Sequence, residues 1–212
     1  MRTSIRLAAL ALACAPVLLA TQAQAADIVN TQPPTGGLIG SNVVDATDWI
    51  AESFAFASPQ AIDGVHAFVL SSDSTNDLGK TFTLAVYRGT ANGIPALNWS
   101  APNQGRLFQT TVAYNGDGWT GATGLNWSLV PGRYWFAIEA DRNGPGALQV
   151  PTGVPHQADA VAYYSGGAAY SGAGVTKADS FGLQVTSVPE PTGWLLAGAG
   201  LAVLGGVKRR RV

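Results

Sequence analysis

The sequence predicts an all-β protein: an antiparallel β-sandwich, jelly-roll-like, flanked by an N-terminal signal helix and a short C-terminal transmembrane helix. Three observations point there. Through the middle of the chain apolar side chains recur at every second residue, the period of a strand with one face turned inward. Turns rich in Gly, Asn and Pro separate these runs, and no window between them carries a convincing helical period. The two chain ends carry patterns of another kind, each pairing an apolar run with basic residues. The 212 residues therefore divide into a leader (1–25), a β-sandwich domain (26–187) and a C-terminal segment (188–212) that pairs an apolar run with basic residues.

In the leader, Arg2 and Arg6 precede an apolar run over residues 7–20, and Ala23-Gln24-Ala25 supplies the small residues of a cleavage site. A charged start, an apolar centre and an A-x-A site make a secretory signal peptide, cut after Ala25. Cys14 is the only cysteine and lies inside the apolar run, where it acts as a small hydrophobe. The mature chain then has no disulfide and must hold together by its core.

The domain reads as strand after strand. "AIDGVHAFVL" (61–70) is apolar on both faces, as a central strand should be, and simple alternation puts His66 with Ile62, Phe68 and Leu70 as a core histidine. Phe82, Leu84 and Val86 alternate with Thr83, Ala85 and Tyr87. Phe108, Val112 and Tyr114 share a face, interrupted by Thr110. Tyr134, Phe136 and Ile138 face one way, with Trp135, Ala137 and Glu139 facing the other. Phe181, Leu183 and Val185 close the domain. Turn signals stand at Thr90-Ala91-Asn92-Gly93, Asn115-Gly116-Asp117-Gly118, Pro131-Gly132 and Asn143-Gly144-Pro145-Gly146. "LNWS" occurs twice, at 97–100 and 125–128, which is too few copies for a repeat architecture. Trp99 and Trp127 read as core or edge aromatics.

Charge narrows the partners. Residues 26–189 hold six basic side chains against twelve acidic ones, a net charge of −6. That balance opposes nucleic acid and anionic lipid. Chemistry is sparse. His66 and His156 lie ninety residues apart without a zinc-binding motif, and no G-x-S-x-G elbow is present. Asp45, Asp48, Glu52, Glu139 and Asp141 read as solvated carboxylates rather than a glycosidase pair. No catalytic residue is identified, so the protein is expected not to be an enzyme. No cofactor is required, although "SSDSTNDLG" gathers the hard oxygen ligands Asp73, Asn76 and Asp77, the set that a structural calcium would use. Trp119, Tyr163, Tyr164 and Tyr170 lie in or near Gly-rich loops and are the residues that would meet sugar rings.

At the C-terminus, Pro189, Glu190 and Pro191 are followed by sixteen uncharged residues, 192–207, and then by Lys208, Arg209, Arg210 and Arg211. Sixteen helical residues reach about 24 Å, short of the ~30 Å hydrocarbon core. Trp194 suits the outer headgroup level and the four basic residues stop transfer on the inner side. Two prolines in three residues keep the junction extended and open to a processing enzyme. "VPEP", a short apolar run and a terminal "KRRR" closely resemble the PEP-CTERM sorting signal of Gram-negative bacteria, a tail also labelled an ice-binding protein C-terminal motif. Ice binding itself wants a flat array of repeated Thr, and only Thr81 and Thr83 come close. "GWTGATGLNWSLVPGRYWFAIEA" (118–140) is likewise similar to a segment of the exported β-sandwich domains that precede such tails.

The resemblance implies export by the Sec translocon, cleavage by signal peptidase, transient insertion in the inner membrane, and processing at Pro189-Glu190-Pro191 by an exosortase. The product is then expected at the cell surface or in the exopolysaccharide matrix, as a non-enzymatic protein. The alternative is a carbohydrate-binding module in the same place.

Overall fold

The computed structural model describes residues 26–35, 41–89, 105–140, 143–146, 148–165, 170–171 and 179–187. The expected signal helix and transmembrane helix, with the sorting motif and the basic cluster, lie outside the described residues, as does Trp99. Among the described residues no helix is long and apolar enough to cross a membrane.

Alternating sequence becomes pairing in thirteen strands among the described residues, arranged in two sheets with every pairing antiparallel. The first sheet runs β1 (Asp27–Asn30), β13 (Leu183–Ser187), β4 (Gln60–Ser71), β10 (Leu148–Pro151), β2 (Ser41–Val44). β7 (Gly118–Ala122) and β8 (Trp127–Leu129) also pair with β4. The second runs β12 (Tyr170–Ser171), β11 (Ala160–Ser165), β3 (Asp48–Phe56), β9 (Gly132–Glu139), β5 (Thr81–Arg88), β6 (Arg106–Ala113). One turn of helix, α1 (Ser74–Asp77), follows β4.

β4 is the hub of the first sheet. Its twelve residues pair with β13, β10, β7 and β8, which is where a segment apolar on both faces belongs. Simple alternation fails at one point. Thr186 pairs with Gly64 but Ser187 pairs with Ile62, so Asp63 is an extra residue in the ladder. Such a bulge turns the remaining side chains over. Ile62, Val65, Ala67 and Val69 are buried in the core, whereas His66, Phe68 and Leu70 are half-buried on the opposite face. His66 is therefore not the core histidine that alternation suggests.

The two sheets share one apolar core. Ile62, Val65, Leu183 and Val185 from the first join Ile50, Phe56, Leu84, Val86, Phe136 and Ile138 from the second. Trp127 of β8 stacks on Phe108 of β6 with ring centroids 5.3 Å apart. The reverse face of the second sheet is buried as well, including Trp135, Ala137 and Glu139 of β9 and Tyr87 of β5. β9 is thus buried on both sides over residues 134–139, which explains why "YWFAIE" has no polar face.

Gly121 shows how tightly the first sheet is assembled. A Cβ there would lie 2.2 Å from the Val65 carbonyl oxygen and 2.5 Å from the His66 Cα, both backbone atoms of β4. Gly146 has open space around its Cβ position. Gly121→Ala is expected to lower stability by about 1–3 kcal/mol in denaturant unfolding. Gly146→Ala should stay within about 0.5 kcal/mol of the parent protein.

Candidate functional site

The sequence singles out four aromatics, and the structure separates them. Trp119 stands on β7, opposite Phe68 in register, on the outward face of the first sheet. Tyr163 and Tyr164 stand on β11 in the second sheet. The backbone of Tyr170 pairs with that of Tyr164.

The β11 pair borders a cavity of about 280 Å³, lined by Asn42, Val43, Asp48, Trp49, Tyr163, Tyr164 and Ser165. Its groups already serve the fold. Trp49 stacks on Tyr164 at 4.6 Å, and its indole N–H donates to the carbonyl oxygens of Ala140 (2.9 Å) and Asp45 (3.1 Å). Tyr164 is buried. Burial, followed by the nearby Asp179 carboxylate, pushes the Tyr163 hydroxyl up to about 12, and hydrogen bonds with Asn42 and Asp179 engage it.

The outward face around Trp119 differs. The indole meets the Phe68 ring edge-to-face, with centroids 5.6 Å apart and planes at 83°. His66 lies two residues along β4 and pairs with Gln184 of β13 on one side and Gly121 of β7 on the other. Leu70 pairs with Gln149 of β10. All six of these side chains, from Trp119 to Gln149, are half-buried. Burial holds His66 below the usual imidazole value, so it is neutral at pH 7.

The three oxygen donors counted for calcium serve the turn after β4. Asp73 caps α1 and accepts from the Asn76 side-chain amide at 2.8 and 3.0 Å. Asp77 accepts from Ser71 Oγ (2.6 Å), Lys80 Nζ (3.0 Å) and Gly146 N (3.0 Å). Burial raises the Asp77 carboxyl, and those three donors more than reverse it, leaving it below the ordinary value. Among the described residues no group of three or more His, Cys, Asp or Glu side chains is placed to hold a metal.

Two carboxylates depart from the sequence reading. Glu52 and Glu139 are buried, not solvated. Glu139 accepts from the Tyr87 hydroxyl and from Arg106, whose Nε also donates to the Tyr87 oxygen at 3.1 Å. Glu52 lies in the core between the sheets, where its Oε1 accepts from the Phe181 backbone N–H and its Oε2 has no hydrogen-bond partner among the described residues. Burial raises its carboxyl well above the ordinary value, and the Phe181 bond offsets only part of that. Both contacts join segments far apart in the chain, so no local pattern announces them. The outward placement of His66 and Phe68, beside Gln149 and Gln184, escaped the sequence reading too; the available signal was Gly64, since a glycine inside a strand marks a bulge.

These geometries define a two-sheet antiparallel β protein with an aromatic and amide face on one side. No protein-family model matches the chain, and no curated protein matches it.

Two outcomes follow from the buried acids. A carboxyl raised in the folded state binds its proton more tightly there than in the unfolded chain. Its stabilising contribution is complete below the unfolded value and is lost as pH rises through the folded value. Relative to Glu52→Gln, the parent protein should therefore lose stability above about pH 4.5, by up to ~1.4 kcal/mol per pH unit. Paired denaturant titrations between pH 4 and 8 measure the difference. Arg106→Met removes the Arg106 cation from buried Glu139 and should cost about 3–5 kcal/mol. The double variant Arg106→Met/Glu139→Met should recover part of that loss.

Proposed function

We propose that this chain is an exported, non-enzymatic protein whose body is a β-sandwich of jelly-roll type. It is threaded through the inner membrane, processed at both ends, and held at the cell surface or in the exopolysaccharide matrix. The observation that carries this is the way the domain's two ends clamp each other. Ala26 N donates to Ser187 Oγ at 3.2 Å, and Ser187 N donates to Ala26 O at 2.8 Å. Inward from that pair, β1 runs beside β13, which in turn runs beside β4. Residues Ala26–Val188 form one compact unit, and the expected cuts, after Ala25 and at Pro189-Glu190-Pro191, lie at its limits. Removing both end segments would leave every strand pairing among the described residues in place.

A second reading, a carbohydrate-binding module in the same location, is favoured by the outward face that holds Trp119 and Phe68. Rings beside side-chain amides suit a ligand with apolar faces and hydroxyl edges.

Intact-mass and terminal-peptide measurement of the secreted protein tests the first proposal. The expected product begins at Ala26 and lacks everything beyond the PEP site. Product retained in the cell, or released with Lys208, Arg209, Arg210 and Arg211 still attached, would contradict it.

A further inference from the structure

We propose, on the carbohydrate-binding reading above, that the outward face of the first sheet is a platform for an uncharged polysaccharide. Trp119 and Phe68 form its centre, and His66, Gln184 and Gln149 its hydrogen-bonding border.

The face is built low. Gly182 lies where a Cβ would come within 2.4 Å of Phe68 Cβ and 3.5 Å of the Trp119 indole. Gly121 lies where a Cβ would come within 2.5 Å of the His66 ring. Both rings of β4 therefore lean over bare backbone of the neighbouring strands, and the indole of β7 reaches the same strip.

Hydrogen-bonding capacity is left over on this face. Among the described residues, the side chains of His66, Gln184 and Gln149 and the Trp119 indole N–H make no hydrogen bond within the protein. Amides, an imidazole and an indole N–H offer both donors and acceptors. Gln184, Gln149 and Trp119 sit on strands that each pair with β4, which carries His66, with about 4.8 Å per strand step. Sugar rings present the matching pair of surfaces, C–H faces for aromatics and hydroxyl edges for amides. The cavity beside Tyr163 and Trp49 offers less, because its indole N–H and its phenol are already engaged.

Charge selects among polysaccharides. None of the platform side chains is charged at pH 7, since burial keeps His66 neutral. Asp117, which precedes β7, is occupied by Ser71 N at 2.9 Å and by the Tyr114 hydroxyl. With no cation among the described residues of the face and a net charge of −6 on the domain, an anionic glycan is repelled and an uncharged one is not.

Affinity electrophoresis of the full chain through gels holding a β-1,4-glucan, a β-1,3-glucan, a galactomannan or dextran, with alginate as the anionic comparison, tests the proposal. Retardation by at least one uncharged polymer and none by alginate is expected. Trp119→Ala should weaken that binding about tenfold or more, and Gln184→Ala severalfold. Tyr163→Phe should leave it unchanged. Gln184→Glu keeps the side chain's size and should also lower affinity, so the result does not hang on Trp119→Ala folding well. Binding lost in Tyr163→Phe but kept in Trp119→Ala would overturn this face while leaving the carbohydrate reading intact. Retardation by alginate alone would overturn the uncharged ligand. No retardation by any polymer would overturn both. Concentration-dependent dimers abolished by Trp119→Ala, without polymer binding, would assign the face to a second copy of the chain and overturn the proposal.

Discussion

β4 is the element on which the other parts of the first sheet depend. Four strands hydrogen-bond to it, and two of them, β7 and β8, come from the segment that then feeds β9 of the second sheet. Its inward side chains, Ile62, Val65, Ala67 and Val69, are fully or almost fully withdrawn from water. The bulge at Asp63 decides what its other face does. Without the extra residue, the run from Val65 onward would exchange faces and the sheet would lose its core contacts. With it, His66 and Phe68 point outward beside Trp119. Packing and the proposed binding surface thus have one local cause.

The second sheet solves a different problem. It buries both faces, so a charge on either side needs a partner or a proton. Glu139, on the reverse face, has Arg106 and Tyr87. Glu52, between the sheets, has one backbone N–H, and burial raises its carboxyl well above the ordinary value. The first arrangement is an ion pair whose partners depend on each other. The second is a proton-dependent tie from β3 to the segment just before β13, and it couples the two sheets.

Much of the fold was legible because its cause is local. The alternation of Phe82, Leu84 and Val86, and of Tyr134, Phe136 and Ile138, needs only neighbours along the chain, and these became β5 and β9. The double apolar face of residues 61–70 marked the hub. What escaped notice is non-local. Glu52 takes its partner from 129 positions away, and Glu139 takes Arg106 from 33. An acidic side chain is solvated by default, and only the fold shows otherwise. Trp119 was visible as a free aromatic, but Phe68 and Gln184 join it through β4 and β13, strands that lie far off in sequence. One inserted residue at Asp63 was enough to reverse the reading of His66. The one-turn helix at Ser74–Asp77 is too short for any period to show, although its Asp73 cap is a residue type that favours such a start.

As the hub of the first sheet, β4 should be the last element to open. Native-state hydrogen exchange measures that directly. The amides of Val65, Ala67 and Val69 are expected to exchange only through global unfolding, with opening free energies equal to the stability from denaturant titration. Amides of the short edge strand β2 should open at lower cost. Exchange at the β4 positions through a cheaper local opening, at or below that of β2, would contradict the central place given to this strand.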